Sequence, residues 1–88
     1  MTIDVLVVDD ESARLIVERL QGEASLKDRF YFVPVISCDA ALRELGKTER
    51  TYRLAILDYL MPRKDGPATA KELRAINPDL KLIGHSNP

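Results

Sequence analysis

The sequence predicts an α/β protein with a doubly wound parallel sheet, because segments typical of strands alternate with segments typical of helices along the whole chain. The runs from Ile3 to Val8 and from Leu54 to Leu57 are short and almost entirely apolar, as in strands that are covered on both faces. Stretches with apolar residues at helical spacing separate the strand-like runs. Together these patterns favour one sheet with helices on both faces.

The first half of the chain predicts two strands joined by a helix. Ser12 is expected to cap a helix that runs to about Glu23. Pro34 interrupts the second strand, Phe30 to Ile36, and since proline cannot donate a hydrogen bond to a ladder, this strand is expected at a sheet edge. An outermost second strand fits the flavodoxin-like order 2-1-3-4-5. The residues expected on the inner face of the helix are Ala13, Ile16, Val17 and Leu20.

The second half predicts two more helices and two more strands, within one small domain spanning residues 1–88. Ser37 or Cys38 is expected to open a helix that runs to about Lys47. Pro67 suits the first position of another helix, which ends near Ile76. A fourth strand follows from Leu80 to about Gly84, giving about four strands and three helices in all. The residues expected to face inward from these two helices are Ala41, Leu42, Leu45, Ala70, Leu73 and Ile76.

Composition excludes several classes of protein. Of the 88 residues, 31% are charged and 45% are hydrophobic, with a formal net charge of -1, which argues against disorder and against a strongly basic nucleic-acid binder. No apolar stretch approaches the roughly 20 residues that a membrane span needs. The single cysteine, Cys38, cannot form an internal disulfide, which fits a reducing compartment. We therefore expect a cytoplasmic protein that contacts neither membrane nor nucleic acid directly.

Carboxylates follow two of the predicted strands. Asp9, Asp10 and Glu11 come directly after the first strand, and Asp58 ends the third. The carboxyl ends of parallel strands share one edge of the sheet, where ligands bind. Carboxylates that converge there would repel one another unless a hard cation such as Mg²⁺ lay among them. The pattern indicates metal-assisted phosphate chemistry, although helix caps and solvated loop charges would give a similar Asp9-Asp10 pair.

Motifs in this order and spacing identify a family. Three motifs together resemble the receiver domain of two-component response regulators. They are Val7-Val8-Asp9-Asp10-Glu11, Asp58 followed by Met61-Pro62 and Asp65-Gly66, and Ser86 after the last strand. The resemblance runs from residue 3 to residue 88. It implies a flavodoxin-like, or CheY-like, fold of five βα units, of which this sequence covers four strands. The family's fifth strand, with its lysine, has no counterpart here, so the resemblance implies a receiver truncated after the fourth strand.

The resemblance also implies a role for each site residue. Asp58 would accept a phosphoryl group from a sensor histidine kinase or a phosphotransfer protein. Asp9, Asp10, Asp58 and the backbone carbonyl of Leu60 would surround Mg²⁺, and Ser86 would offer its hydroxyl to a phosphoryl oxygen. The protein would then be a regulatory phosphoacceptor that signals through protein contacts. It would not be an enzyme beyond phosphorylating and dephosphorylating itself at Asp58.

Two other functions compete with this interpretation. A degenerate receiver could act as a dimerisation or docking module with little phosphotransfer, since weaker phosphate binding is expected without the family's lysine. A haloacid dehalogenase-like phosphatase would require Asp-x-Asp at the nucleophile strand, and Asp58-Tyr59-Leu60 does not provide it.

Self-association is a further expectation. A core of 88 residues is marginal, and a fourth strand at the edge of the sheet leaves backbone groups unpaired. Two copies related by a two-fold axis would cover that edge and the apolar surface beside it. The surface expected to form the homodimer contains Leu82, Ile83 and the first helix near Ile16 and Leu20.

Overall fold

The computed structural model describes residues 2–47, 51–58 and 66–85. Its four strands form one parallel sheet in the order β2-β1-β3-β4, which confirms the predicted α/β architecture. The strands are β1 (Ile3–Val8), β2 (Phe30–Val35), β3 (Tyr52–Asp58) and β4 (Lys81–His85). The helices are α1 (Ala13–Gly22), α2 (Ala24–Lys27), α3 (Cys38–Leu45) and α4 (Gly66–Ile76).

The second strand lies at a sheet edge, as Pro34 predicts. Pro34 is the register partner of Val7 on β1, and among the described strands β2 pairs with β1 alone. A proline in a central strand would interrupt the ladder on one side. Pro34 is therefore compatible with the outer position of β2 in the sheet.

Apolar side chains form two clusters, one on each face of the sheet. The cluster on the α3 and α4 side is the larger, and it contains Leu6, Val8, Ala41, Tyr52, Ala55, Leu57, Leu73 and Leu80. The cluster on the α1 side contains Val5, Val7, Ala13 and Phe32, with Ile16, Val17 and Leu20 packed against it. Successive residues of β1 alternate between the two clusters, as side chains of a strand covered on both faces must.

Two details of the helices differ from the sequence prediction. The structure adds the four-residue helix α2, which is separated from α1 because Glu23 is extended, with φ -80° and ψ 113°. Ile76, predicted to be buried, is 50% exposed, since it is the last residue of α4 and lies beyond the turn whose Leu73 reaches the core. In the described ranges, none of the helices is long and apolar enough to cross a membrane.

Polar contacts fasten the amino end of β3 to α3 and α4. The buried Tyr52 donates its hydroxyl proton to Glu44 Oε1 over 2.7 Å, and its backbone carbonyl accepts a hydrogen bond from Asn77 Nδ2 at 2.9 Å. Glu44 also forms a salt bridge with Lys47 at 3.1 Å. We call these four residues the amino-end clamp. They hold the end of the sheet that lies farthest from the acidic residues.

Candidate metal centre

The strand order brings the predicted carboxylates together. β1 and β3 are neighbours, and Val8 is the register partner of Leu57, so the residues that follow both emerge at the same edge. Asp9, Asp10 and Asp58 each offer a carboxylate oxygen there, and these three oxygens lie within 4.8 Å of one another. The sequence predicted this convergence from the two strand ends, and the structure confirms it.

These carboxylates lie in a partly enclosed environment. Asp9 is 1% exposed and Asp58 is 7% exposed, whereas Asp10 is half-buried. Like charges at this range repel one another more strongly when little water separates them. A bound cation removes that repulsion.

The donor set fits Mg²⁺. Oxygen ligands of one octahedral Mg²⁺, each about 2.1 Å from the ion, lie at most about 4.2 Å apart. The observed grouping within 4.8 Å needs only small side-chain rotations to reach that geometry. The positions of an octahedron that these carboxylates do not occupy are left for water or further oxygens, and Mg²⁺ commonly retains several waters.

Asp9 also accepts hydrogen bonds in the turn that precedes the first helix. Asp9 Oδ1 accepts hydrogen bonds from the backbone N–H groups of Glu11 at 2.9 Å and Ser12 at 3.0 Å. Ser12 occupies the N-cap position of α1, as predicted, but its side chain makes no capping hydrogen bond. The carboxylate of Asp9 therefore closes the turn that leads into α1.

The clue to this second role was present in the sequence. Asp and Asn side chains often accept hydrogen bonds from backbone N–H groups two or three residues later, and Asp9 lies at that distance from Glu11 and Ser12. The backbone N–H of Asp9 also donates to the Val35 carbonyl at 3.1 Å. Asp9 therefore links the end of β2 to the turn that leads into α1.

Several residues named by the sequence prediction lie outside the described part of the chain. Leu60 and Ser86 are the two predicted site residues in this group. Met61, Pro62 and Asp65, which carried part of the family motif, also belong to it.

The chain resembles segments of much longer curated proteins. No family model matches it. It is 35% identical over 80 residues to the sensor kinase CckA of Brucella abortus (strain 2308). It is 32% identical over 81 residues to the transcriptional regulatory protein ZraR of Escherichia coli O157:H7. These matches cover 90% and 92% of this chain, but the chain spans only 8% and 17% of the two proteins.

Solved structures agree with the sequence matches. The response regulator protein TrrA of Thermotoga maritima, solved in complex with Mg²⁺-BeF, is 31% identical, with a TM-score of 0.73. The match covers 96% of this chain and 69% of that one. A response regulator receiver protein from Pseudomonas putida shares the fold with a TM-score of 0.78 at 24% identity, over 98% of this chain and 69% of its own. The chain belongs to the receiver domain family of two-component response regulators.

Proposed function

We propose that this receiver is a phosphoacceptor, in which Asp58 takes a phosphoryl group from a sensor histidine kinase or a phosphotransfer protein in the presence of Mg²⁺. The observation that carries the proposal is the cluster of Asp9, Asp10 and Asp58 oxygens within 4.8 Å at the carboxyl edge of the sheet. Asp58 ends a central strand and is held there by its neighbours on both sides. Its carboxylate has a fixed position from which to attack.

The proposed reaction is a simple transfer. A carboxylate oxygen of Asp58 attacks the phosphorus, a bond forms between them to give an acyl phosphate, and the bond from phosphorus to the donor breaks with its electron pair leaving on the donor. Bound Mg²⁺ would supply positive charge that offsets the repulsion between carboxylate and phosphate. Asp10 and Asp58 would hold it directly, and Asp9 would act mostly through water.

Two further residues complete the proposed site. The backbone carbonyl of Leu60 would be another oxygen ligand for the metal, and the Ser86 hydroxyl would donate to a phosphoryl oxygen. Support for Mg²⁺ comes from the oxygen-only donor set and from the Mg²⁺-BeF complex of the Thermotoga relative. Support for a kinase partner comes from the likeness to a segment of the sensor kinase CckA.

The protein would act in the cytoplasm as a regulator that signals through protein contacts, without binding nucleic acid itself. Self-association belongs to the same proposal. One observation favours a second candidate function, a docking module with little phosphotransfer: Ile83 on β4, an outer strand among the described residues, is 52% exposed. The two candidates differ in whether Asp58 becomes phosphorylated.

Intact-mass measurement separates them. The protein is incubated with Mg²⁺ and a small acyl phosphate donor, then with a sensor kinase core, and its mass is recorded with and without a chelator. We expect the gain of one phosphoryl group, dependent on Mg²⁺ and absent in Asp58→Asn. Asp39→Asn is the matched control, because Asp39 is an exposed acid in the first turn of α3 and should leave labelling unchanged. Labelling that persists in Asp58→Asn, or never occurs with either donor, would refute the phosphoacceptor proposal.

A further inference from the structure

The backbone groups of β2 point alternately towards β1 and away from it. The Arg29 carbonyl accepts a hydrogen bond from the Ile3 N–H at 2.8 Å, and the Val35 carbonyl accepts one from the Asp9 N–H at 3.1 Å. Successive residues of an extended strand direct their N–H and C=O groups to opposite sides. The even positions of β2 therefore present their backbone groups to the outer side, where β2 has no neighbour among the described strands. These positions are Phe30, Phe32 and Pro34.

A side chain from α1 reaches one of these outward groups. Gln21 Oε1 accepts a hydrogen bond from the backbone N–H of Phe32 at 3.3 Å. The amide oxygen is the atom that faces this N–H, because the amide nitrogen of glutamine is only a donor. Gln21 is half-buried and is the last residue but one of α1. Its side-chain carbonyl therefore takes the place that a backbone carbonyl of a further strand would occupy.

The packing of α1 on β2 holds Gln21 at this edge. Leu20, the preceding residue, packs against the smaller apolar cluster, to which Phe32 belongs. Phe32 is 6% exposed, and its ring centroid lies 6.0 Å from that of Phe30. The helix ends directly after Gln21 and Gly22, because Glu23 is extended. The contact between Gln21 and β2 is therefore part of the docking of the helix.

Pro34 removes the next outward donor. It lies two residues beyond Phe32 on the same side of β2, and proline has no N–H. Pro34 is exposed, so burial does not protect this position. A strand that adds to a sheet edge pairs with the outward N–H and C=O groups of that edge. Two of the three outward positions of β2 therefore offer no N–H to such a strand.

We propose that Gln21 and Pro34 together close the outer edge of β2 against strand addition, Gln21 by occupying one N–H and Pro34 by eliminating the next. The strand reads Phe-Tyr-Phe-Val-Pro-Val. Uncharged segments rich in aromatic and β-branched residues pair readily with other chains when their edge is open. Self-association of the protein should therefore leave the β2 edge free. This inference uses none of the acidic residues, so it stands or falls independently of the phosphoacceptor proposal.

Amide hydrogen exchange, followed by NMR, tests the role of Gln21. The exchange rate of the Phe32 N–H is divided by that of the Val33 N–H, which faces β1, so that a change in global stability cancels. This ratio should rise at least about tenfold in Gln21→Ala, because the Phe32 N–H loses its acceptor. Gln21→Glu keeps an acceptor oxygen and should retain most of the protection. Glu18→Ala is the matched control, since Glu18 is exposed on the same helix. An unchanged ratio in Gln21→Ala, or an equal rise in Glu18→Ala, would overturn the proposal.

Sedimentation equilibrium tests the closure of the edge. The double variant Gln21→Ala/Pro34→Val frees one outward N–H and restores another, so it should self-associate at least about tenfold more tightly than the parent. Exchange of its Phe32 N–H should slow as the protein concentration rises, which locates the new contact at the β2 edge. Pro34 is exposed, so valine fits there, and circular dichroism checks the fold. A folded double variant that associates no more than the parent at several hundred micromolar, or whose Phe32 N–H gains no protection with concentration, would overturn the proposal.

Discussion

The two ends of the sheet are built in opposite ways. At the carboxyl end, Asp9, Asp10 and Asp58 crowd three like charges within 4.8 Å. At the amino end, Tyr52 joins Glu44 and Asn77 through hydrogen bonds of 2.7 and 2.9 Å. Crowded like charges disfavour folding, whereas satisfied buried polar groups support it. Stability and chemistry are therefore divided between opposite ends of the same strands.

The helices that follow the strands show the same division. Ser37 caps α3 with a hydroxyl that accepts the Ala40 N–H at 3.0 Å and has no other assigned role. The turn that leads into α1 is closed by Asp9, which also belongs to the acidic cluster. The start of α1 is therefore tied to the candidate metal centre, while the start of α3 is not.

The largest expected effect is on metal affinity. Asp10→Ala should weaken Mg²⁺ binding at least about tenfold, because it removes a charged oxygen ligand from the site. Asp39→Ala, which removes an exposed carboxylate at the start of α3, should bind Mg²⁺ as the parent does. Isothermal titration calorimetry or NMR titration measures both. Equal affinity in Asp10→Ala and the parent would show that the metal centre is wrongly assigned.

A smaller effect is expected from the amino-end clamp. Asn77→Ala should lower the free energy of unfolding by about 1–2 kcal/mol, since it removes a donor from a buried strand carbonyl. Tyr52→Phe, which loses the hydrogen bond to the Glu44 carboxylate, should cost about 1 kcal/mol. Neither variant should change Mg²⁺ affinity. Urea unfolding gives the two energies, and a loss of metal binding in either variant would contradict the separation of the two ends.

The smallest effect distinguishes the two helix starts. Ser37→Ala should lower the free energy of unfolding by about 1 kcal/mol, because it removes the cap of α3. Ser12→Ala should change it by at most a few tenths of a kcal/mol, because the Ser12 side chain makes no capping hydrogen bond. Equal destabilisation of the two serine variants in urea would show that Ser12 caps α1 as effectively as Ser37 caps α3.

Much of the fold could be predicted because strands and helices leave different patterns of apolar residues. Pro34 alone indicated the edge position of β2, since its missing N–H excludes a central strand. Helix ends were less predictable. Ile76 has the spacing of a core residue, but whether the last turn of a helix reaches the core depends on how the helix docks, and spacing does not specify that.

The convergence of Asp9, Asp10 and Asp58 was predictable because strand ends meet at one edge in any parallel sheet. The hydrogen bonds that Asp9 accepts from the N–H groups of Glu11 and Ser12 depend on the backbone angles of the turn before α1, which apolar spacing does not specify. Whether the Ser12 hydroxyl reaches a free N–H group of α1 also depends on backbone angles, and Ser12 has φ -121° and ψ 7°. The predicted roles of Leu60 and Ser86 remain predictions.

One measurement tests most directly whether the carboxyl end is built for metal binding and not for stability. The free energy of unfolding is determined for the parent and for Asp10→Ala, each in chelator and in excess Mg²⁺. In chelator, Asp10→Ala should be the more stable by about 1 kcal/mol, because one repelling charge has gone. Mg²⁺ should stabilise the parent, since a ligand that binds only the folded state adds to its stability, and should leave Asp10→Ala nearly unchanged. An Asp10→Ala variant that is less stable in chelator, together with a parent that gains nothing from Mg²⁺, would contradict the account.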